Sequence, residues 1–364
     1  MTSRERLLRA LRRDSPDRVP MYFSFTPAVA QEFERRTGAD AASYQDYFGF
    51  DLVSREPAAL LRRHPELPAS WQAEGGDAES GDVRTDEWGI GYRRGSIFHF
   101  EHILYPLAGA TSVSEIERYP YPAVDTHSPE YEAFRRSVRE TQRLGRAVVS
   151  SGQAVGGTLF WPAYKLRGME QLFVDMHESP ALAASLLERV ESIVGEICEA
   201  KAAAGVDVLL LADDFGTQRD LLMSLELWDR WFRDGLERII ARSRRANPDL
   251  TIAFHSDGAV ERLITRLMDI GVDVLNPVQP ECMDIVSVKR SYGDRLSFWG
   301  TIGTQTTMPF GTPGDVTRAV RHSIEHVGRG GGLLIAPTHV LEPEVPWENI
   351  ESFVRAVREH GTYR

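Results

Sequence analysis

The chain has 364 residues, 42% of them hydrophobic and 26% charged, an ordinary globular composition with room for one large domain or two smaller ones. Its net charge of −11, with no basic stripe to offset it, argues against a nucleic-acid or anionic-membrane partner. Two well-separated cysteines, Cys198 and Cys282, make no disulfide framework, no apolar run reaches membrane-spanning length, and the Met-Thr-Ser-Arg-Glu-Arg start lacks the apolar stretch of a signal peptide. A cytoplasmic setting is the expectation.

In chain order, the first element is an amphipathic helix. Leu7, Leu8 and Leu11 face inward, and Arg4, Arg6, Arg9, Arg12 and Arg13 are expected on its solvated face. Short β-rich runs then recur at Val19–Phe25, Phe50–Val53, Ala147–Ser151, Val206–Ala212, Leu250–His255, Val272–Leu275, Leu296–Gly300 and Leu333–Ala336. Helical patterns separate most of them, including Pro180–Ala204, Leu225–Asn247, Val260–Ile270, Pro313–Val327 and Trp347–His360. This alternation predicts an α/β chain folded as a single (β/α)8 TIM barrel over residues 1–364. The near-continuous apolar run Val208–Leu211 suits a strand buried on both faces. Gly205 and Gly271 sit where helices should end, and Pro346 where the last one should begin. Gly328 and Gly330–Gly332 precede a strand, so they read as a tight turn and not as a phosphate loop. Two segments interrupt the pattern. Pro57–Gly81 reads as a surface excursion, and Val83–Leu107, with Trp88, Ile90 and Tyr92 alternating, as an inserted β-hairpin covering the catalytic end.

In a barrel, polar residues just past the C-terminal ends of strands face the active site. Here those positions are Ser151 and Gln153, Asp213, Asp214 and Gln218, His255 and Asp257, Asn276 and Gln279, Thr301 and Gln305, and Thr338 and His339. Adjacent strand residues point to opposite sides, so one of Asp213 and Asp214 is expected in the mouth as acid/base or substrate anchor, the other capping a helix or pairing with an arginine. His255, Asp257 and His339 form a candidate ligand set for zinc or another divalent metal, or alternatively an acid/base group with its orienting partner.

Several of these segments resemble the uroporphyrinogen decarboxylase superfamily: Leu211-Ala212-Asp213-Asp214-Phe215-Gly216-Thr217-Gln218, Phe254-His255-Ser256-Asp257-Gly258, Leu275-Asn276-Pro277-Val278-Gln279-Pro280, Gly300-Thr301-Ile302-Gly303-Thr304-Gln305, Ala336-Pro337-Thr338-His339 and Val345-Pro346-Trp347-Glu348-Asn349-Ile350. The resemblance implies a (β/α)8 barrel with its site at the strand mouth. The namesake decarboxylases carry an Arg-Gln-Ala-Gly-Arg carboxylate clamp after the first strand. This chain has Met21-Tyr22-Phe23-Ser24-Phe25-Thr26-Pro27 there, which argues against a porphyrinogen substrate. Tyr164 and His339 look like the decarboxylase's substrate-contacting tyrosine and late histidine.

The superfamily's methylcobamide:thiol methyltransferases hold zinc through His-x-Cys and a later cysteine. Asp257 and His339 stand at those cysteine places, a harder donor set that favours an oxygen-bearing substrate or another metal. The expected function is therefore methyl transfer on a small substrate, with a corrinoid co-substrate arriving free or on a partner protein. Trp88, Tyr164, Gln218, Asn276, Gln279 and Gln305 would contact the substrate, and a homodimer is the expectation by resemblance. A second reading is decarboxylation or other lyase chemistry on a small aromatic or heterocyclic acid, with His339 and Asp214 as proton sources and Arg219 or Arg94 as anchor. A third is a non-catalytic binding protein.

Overall fold

The β-branched and leucine-rich runs form the centre of the molecule, as their two-sided apolar character requires. In the computed structural model, which describes residues 1–67, 83–94 and 101–363, seven strands make one parallel sheet. They are Leu52–Ser54, Ala147–Ser151, Val208–Ala212, Thr251–His255, Val274–Asn276, Ser297–Ile302 and Leu333–Pro337, each hydrogen-bonded to the next in chain order. The sheet curls, with helices such as Pro180–Ala203, Asp234–Ala246, Pro313–Ser323 and Trp347–His360 outside it, an arrangement compatible with a TIM-barrel-like fold.

The expected first strand, Val19–Phe25, does not form a ladder. It runs beside the last strand through isolated parallel bridges, Met21 to Ile335 and Phe25 to Leu341. Ile335 N–H donates to the Pro20 carbonyl at 3.0 Å and Tyr22 N–H to the Ile335 carbonyl at 3.1 Å. Pro20 has no N–H to contribute. The Tyr22 ring fills the space between Phe50 and Trp299, at 5.7 and 5.4 Å between ring centroids.

Strand pleating divides the core in two. Val149, Val208, Ala253, Val274, Trp299 and Leu334 pack inside the sheet. Val148, Leu209, Ile252, Phe254, Leu275 and Phe298 face the helices.

The inner core is closed from below by the helix Ser3–Leu11, and here the expected solvated arginine face needs correction. Arg6 is 8% exposed. Its guanidinium donates to Asp17 at 2.6 and 2.7 Å and to the fully buried Asp51 at 2.7 Å, and Arg18 binds the same Asp51 at 2.9 and 3.0 Å. Arg4 binds Asp207 at 2.7 Å. Asp51 and Asp207 each immediately precede a strand, so these arginines fasten the helix across the N-terminal ends of the sheet. Gly331, at φ +90°, lets the following strand pass under the same helix, since a Cβ there would lie 2.5 Å from the Asp14 carbonyl oxygen.

Beside the main sheet, Val83–Thr85, Gly91–Arg94 and Glu101–Leu104 pair antiparallel. Residues 68–81 of the expected surface excursion and 95–100 of the expected hairpin lie outside the described residues. Among the described residues, no helix is long and apolar enough to cross a membrane.

The plug is electrostatically demanding, because the fully buried Asp51 meets two guanidiniums, that of Arg6 largely out of water and that of Arg18 partly so. Asp51→Ala should cost about 3 kcal/mol, the scale for removing one partner of a buried ion pair, in urea unfolding at neutral pH. A loss below about 1 kcal/mol would mean that the arginines find water as readily as carboxylate.

Candidate active site at the C-terminal mouth of the sheet

With the lower end plugged, the C-terminal strand ends surround a cavity of about 410 Å³. Pleat parity determines what enters it. Ala253 points inward, so His255 does too; Val274 does the same for Asn276. Leu210 and Ala212 line the cavity and so does Asp214, two residues further on.

Asp213 has the opposite parity and another task. Its carboxylate, 1% exposed, accepts N–H bonds from Leu159 and Trp161 at 2.9 Å and from Thr158 at 3.3 Å, at the start of the helix Phe160–Arg167. Burial pushes its carboxyl up to about 7, and these N–H groups pull the other way. Of the two adjacent aspartates, Asp214 reaches the reacting space and Asp213 fixes the helix carrying Trp161, though its edge also touches the cavity.

The Phe-His-Ser-Asp-Gly segment is built to hold its imidazole still. Asn276 Nδ2 donates to the Trp299 carbonyl at 2.9 Å, which turns the amide oxygen toward His255 Nδ1 at 2.6 Å. Nδ1 is therefore the donor, and Nε2 faces the cavity. Ser256, fully buried, accepts the Phe215 N–H at 2.9 Å. The Asp257 N–H donates to Asp214 Oδ1 at 2.9 Å, and the Gly258 N–H to Gln279 Oε1 at 3.1 Å. Gly216 and Gly258 allow the two strand-end loops to touch backbone to backbone. A Cβ on Gly216 would lie 2.4 Å from the Asp257 carbonyl oxygen, and one on Gly258, at φ +86°, 2.4 Å from that of Thr217.

Around Nε2 stand two carboxylates, Asp257 at 3.7 Å and Asp214 at 3.8 Å. One ligand atom from each of Asp214, His255 and Asp257 lies within 4.8 Å of the others, close enough for one metal ion after a small contraction. Burial alone would lower the His255 pKa, but Asp257, Asp214 and Asn276 outweigh it and raise it to about 9. Burial raises the Asp214 carboxyl against the pull of His255. Burial would raise Asp257 too, but the neighbouring His255 imidazole, with a smaller pull from His339, brings it below the usual carboxylate range.

The other expected site residues are spread more widely. His339 lines the same cavity from an exposed rim position, two residues beyond the strand end at Pro337, and among the described residues is not part of the three-residue group. Gln218, Gln279 and Gln305 line a neighbouring cavity of about 230 Å³ that shares Asp257, Thr338 and His339. Gln279 is 4% exposed with its oxygen committed to Gly258, so it positions the loop. Asn276 likewise has both ends of its amide engaged.

Trp88 is fully buried and borders a third cavity beside the antiparallel strands. Tyr164 is 7% exposed behind Trp161, at 5.0 Å between ring centroids, and does not line the main cavity. Arg219 is exposed and off the cavity, and the side chain of Arg94 lies outside the described residues. Among the lining residues that sequence reasoning did not place in this role are Tyr22, Glu56, Trp161 and Trp299. Glu56 follows a short strand and accepts the Ser151 N–H at 2.6 Å, a contact for which the sequence carries no signal.

The uroporphyrinogen decarboxylase (URO-D) family model matches residues 106–360. The uroporphyrinogen decarboxylase of Methylococcus capsulatus is 29% identical over 188 residues, which cover 50% of this chain and 50% of that protein. The Coxiella burnetii enzyme is 23% identical over 186 residues, 50% of this chain and 49% of that one. The matched segment thus spans about half the length of these curated relatives. A solved methyltransferase from Methanosarcina mazei shares the fold, with a TM-score of 0.68 at 19% identity over 99% of both chains.

Two expectations follow from the site. Gly216→Ala should destabilise by roughly 1–3 kcal/mol, as overpacking does, and push the His255–Gly258 loop outward. Unaltered chemical denaturation would contradict the close backbone contact. The second concerns pH. The folded pKa of His255 lies above the value of about 6.5 of an unfolded histidine, so its stabilisation is complete below about 6.5 and lost as pH rises through about 9. Metal-free protein should lose up to about 3 kcal/mol over that window. Urea unfolding at both ends of it, on wild type and His255→Gln, measures this; an equal slope in the variant would assign the loss elsewhere.

Proposed function

The chain belongs to the uroporphyrinogen decarboxylase family, and from that membership we propose that it is a methyltransferase-like enzyme, a single (β/α)8 barrel over residues 1–364, moving a one-carbon unit to or from a small substrate in the mouth cavity. The supporting observation is the group Asp214, His255 and Asp257, with Nε2 turned by Asn276 into a space of about 410 Å³. Two carboxylates and an imidazole suit a divalent first-row ion such as zinc, with Asp214 in the place expected for His339. Such an ion would act as a Lewis acid on the substrate's donor atom.

The chain's own residues do the remaining work. Asn276 holds the imidazole, Ser256 and Gln279 hold the loop, Trp161 and Trp299 wall the cavity, and His339 meets the substrate from the rim. The turn carrying Trp88 borders the adjoining cavity, which shares Glu56 and Gln153 with the mouth. A corrinoid, free or on a partner protein, is the proposed methyl carrier, by family resemblance.

Among the described residues no lysine or arginine lines the cavity, so the namesake's polycarboxylate substrate would meet no guanidinium there. A decarboxylase reading keeps one observation in its favour: a His255 imidazole that stays protonated near neutral pH can give a proton to a nascent carbanion.

Metal-free protein titrated with Co²⁺ should bind it at one site with tetrahedral or five-coordinate absorption. Asp214→Asn should abolish that spectrum, and Asn276→Leu should weaken affinity about 10- to 100-fold, as loss of an outer-shell partner does. Protein purified without added metal that contains none by elemental analysis, takes up no Co²⁺ and ignores chelators would sink the metal-assisted reading.

A further inference from the structure

The charged groups facing the mouth cavity are unbalanced. Four carboxylates touch it: Glu56, paired with Lys201, Asp213, turned into a helix N-terminus, and Asp214 and Asp257, which have no cationic partner but His255; two imidazoles and no ammonium or guanidinium line it among the described residues. The nearest lysines are turned to other uses. Lys201 Nζ lies behind Glu56, bound to its carboxylate at 2.5 Å and to the Ser151 carbonyl at 2.6 Å. Lys165 Nζ lies 5.3 Å from the Trp161 ring centroid, off the cavity lining. Around His255, two carboxylates outnumber one ring even when that ring carries its proton. An anion entering this half-buried space would be desolvated beside two carboxylates, with the one imidazole already shared between them and no ammonium or guanidinium among the described residues to receive it.

We propose that the cavity binds in an order set by charge: an anionic substrate, carboxylate or thiolate, enters only after a divalent cation has loaded Asp214, His255 and Asp257, whereas the unloaded cavity takes a small organic cation in its place. The inference rests on the metal-assisted reading above and adds to it the substrate class and the sequence of binding. Loading neutralises the two carboxylates and leaves open coordination positions as the one strong receptor for an anion. The unloaded state offers paired carboxylates beside aromatic side chains, Tyr22, Trp161 and Trp299, a lining that suits an alkylammonium ion.

The test uses the whole chain, metal-free and Co²⁺-loaded, with acetate and tetramethylammonium as probes, followed by calorimetry and by the Co²⁺ absorption bands. Acetate is expected to bind at least about tenfold more tightly to loaded protein and to shift the bands, tetramethylammonium at least about tenfold more tightly to unloaded protein, differences of about 1.4 kcal/mol or more. Acetate bound equally by both forms, with Co²⁺ uptake intact, would overturn the ordering and leave the metal reading standing. Failure to take up Co²⁺ at all would overturn both.

Discussion

Everything at this site depends on the two-residue alternation of a parallel strand. A pleated strand sends every second side chain to the same face, and in a curled sheet one face is a closed interior. Once Ala253, Val274 and Ala212 pack inward, His255, Asn276 and Asp214 have no other direction to point. The same parity sends Asp213 outward, where the first N–H groups of a neighbouring helix receive it. Two chemically identical neighbours thus acquire different work from register alone. The imidazole is not placed by its own loop but by the adjacent strand's asparagine, which the next strand's carbonyl orients in turn. Three consecutive strands therefore fix one nitrogen atom.

Much of this was legible in the sequence, and the parts that were not share a cause. Seven parallel strands lie at runs expected to form them, because a strand buried on both faces must be apolar throughout. Of the polar residues after those runs, Ser151, Gln153, Asp214, His255, Asp257, Asn276, Thr338 and His339 line the mouth cavity, whereas Gln218, Gln279 and Gln305 line the one beside it. The first run failed as a strand: its apolar character reports burial, which Met21 and Phe23 have, but not ladder partners, and Pro20 contributes no N–H. From the sequence an arginine on an amphipathic helix reads as solvated, and nothing local to Arg6 points to the Asp51 beneath it, 45 residues away. The choice between Asp213 and Asp214 needed the register. Gln279 and Asn276 were recognised as polar residues near the mouth, but whether a buried amide meets a ligand or a backbone depends on contacts between loops distant in the chain. Trp88 was expected over the substrate because its segment alternates; alternation marks a half-buried strand without saying which body it packs on.

The two ends of the sheet handle charge in opposite ways. Below, each buried carboxylate meets guanidinium: Asp51 takes Arg6 and Arg18, and Asp207 takes Arg4. These contacts fasten the helix Ser3–Leu11 across the lower end of the sheet. Above, Asp214 and Asp257 share one imidazole, with Nε2 more than 3.5 Å from either oxygen, too long for hydrogen bonds of full strength. A protein that pairs its acids so fully at one end has the means to do so at the other. Among the described residues, the lack of arginine in the mouth is therefore a property of the site and not of a chain poor in arginine.

That contrast bears on how the mouth tolerates its own charge. Like carboxylates held near each other in a half-buried space repel, and such sites respond by retaining a proton or by binding a cation. Here Asp257 and Asp214 hold the His255 pKa well above its ordinary range, and burial raises Asp214 in the same sense. A divalent ion between these three groups would meet a donor set already oriented: Nε2 by Asn276, Asp214 by the Asp257 N–H, and Asp257 by a loop that Gln279 and two close-packed glycines hold in place. Little reorganisation remains to be done when the ion arrives. The free energy of holding two acids together has been met during folding by hydrogen bonds that lie outside the group itself, so a cation displacing the proton would gain the attraction of both carboxylates while costing little in order.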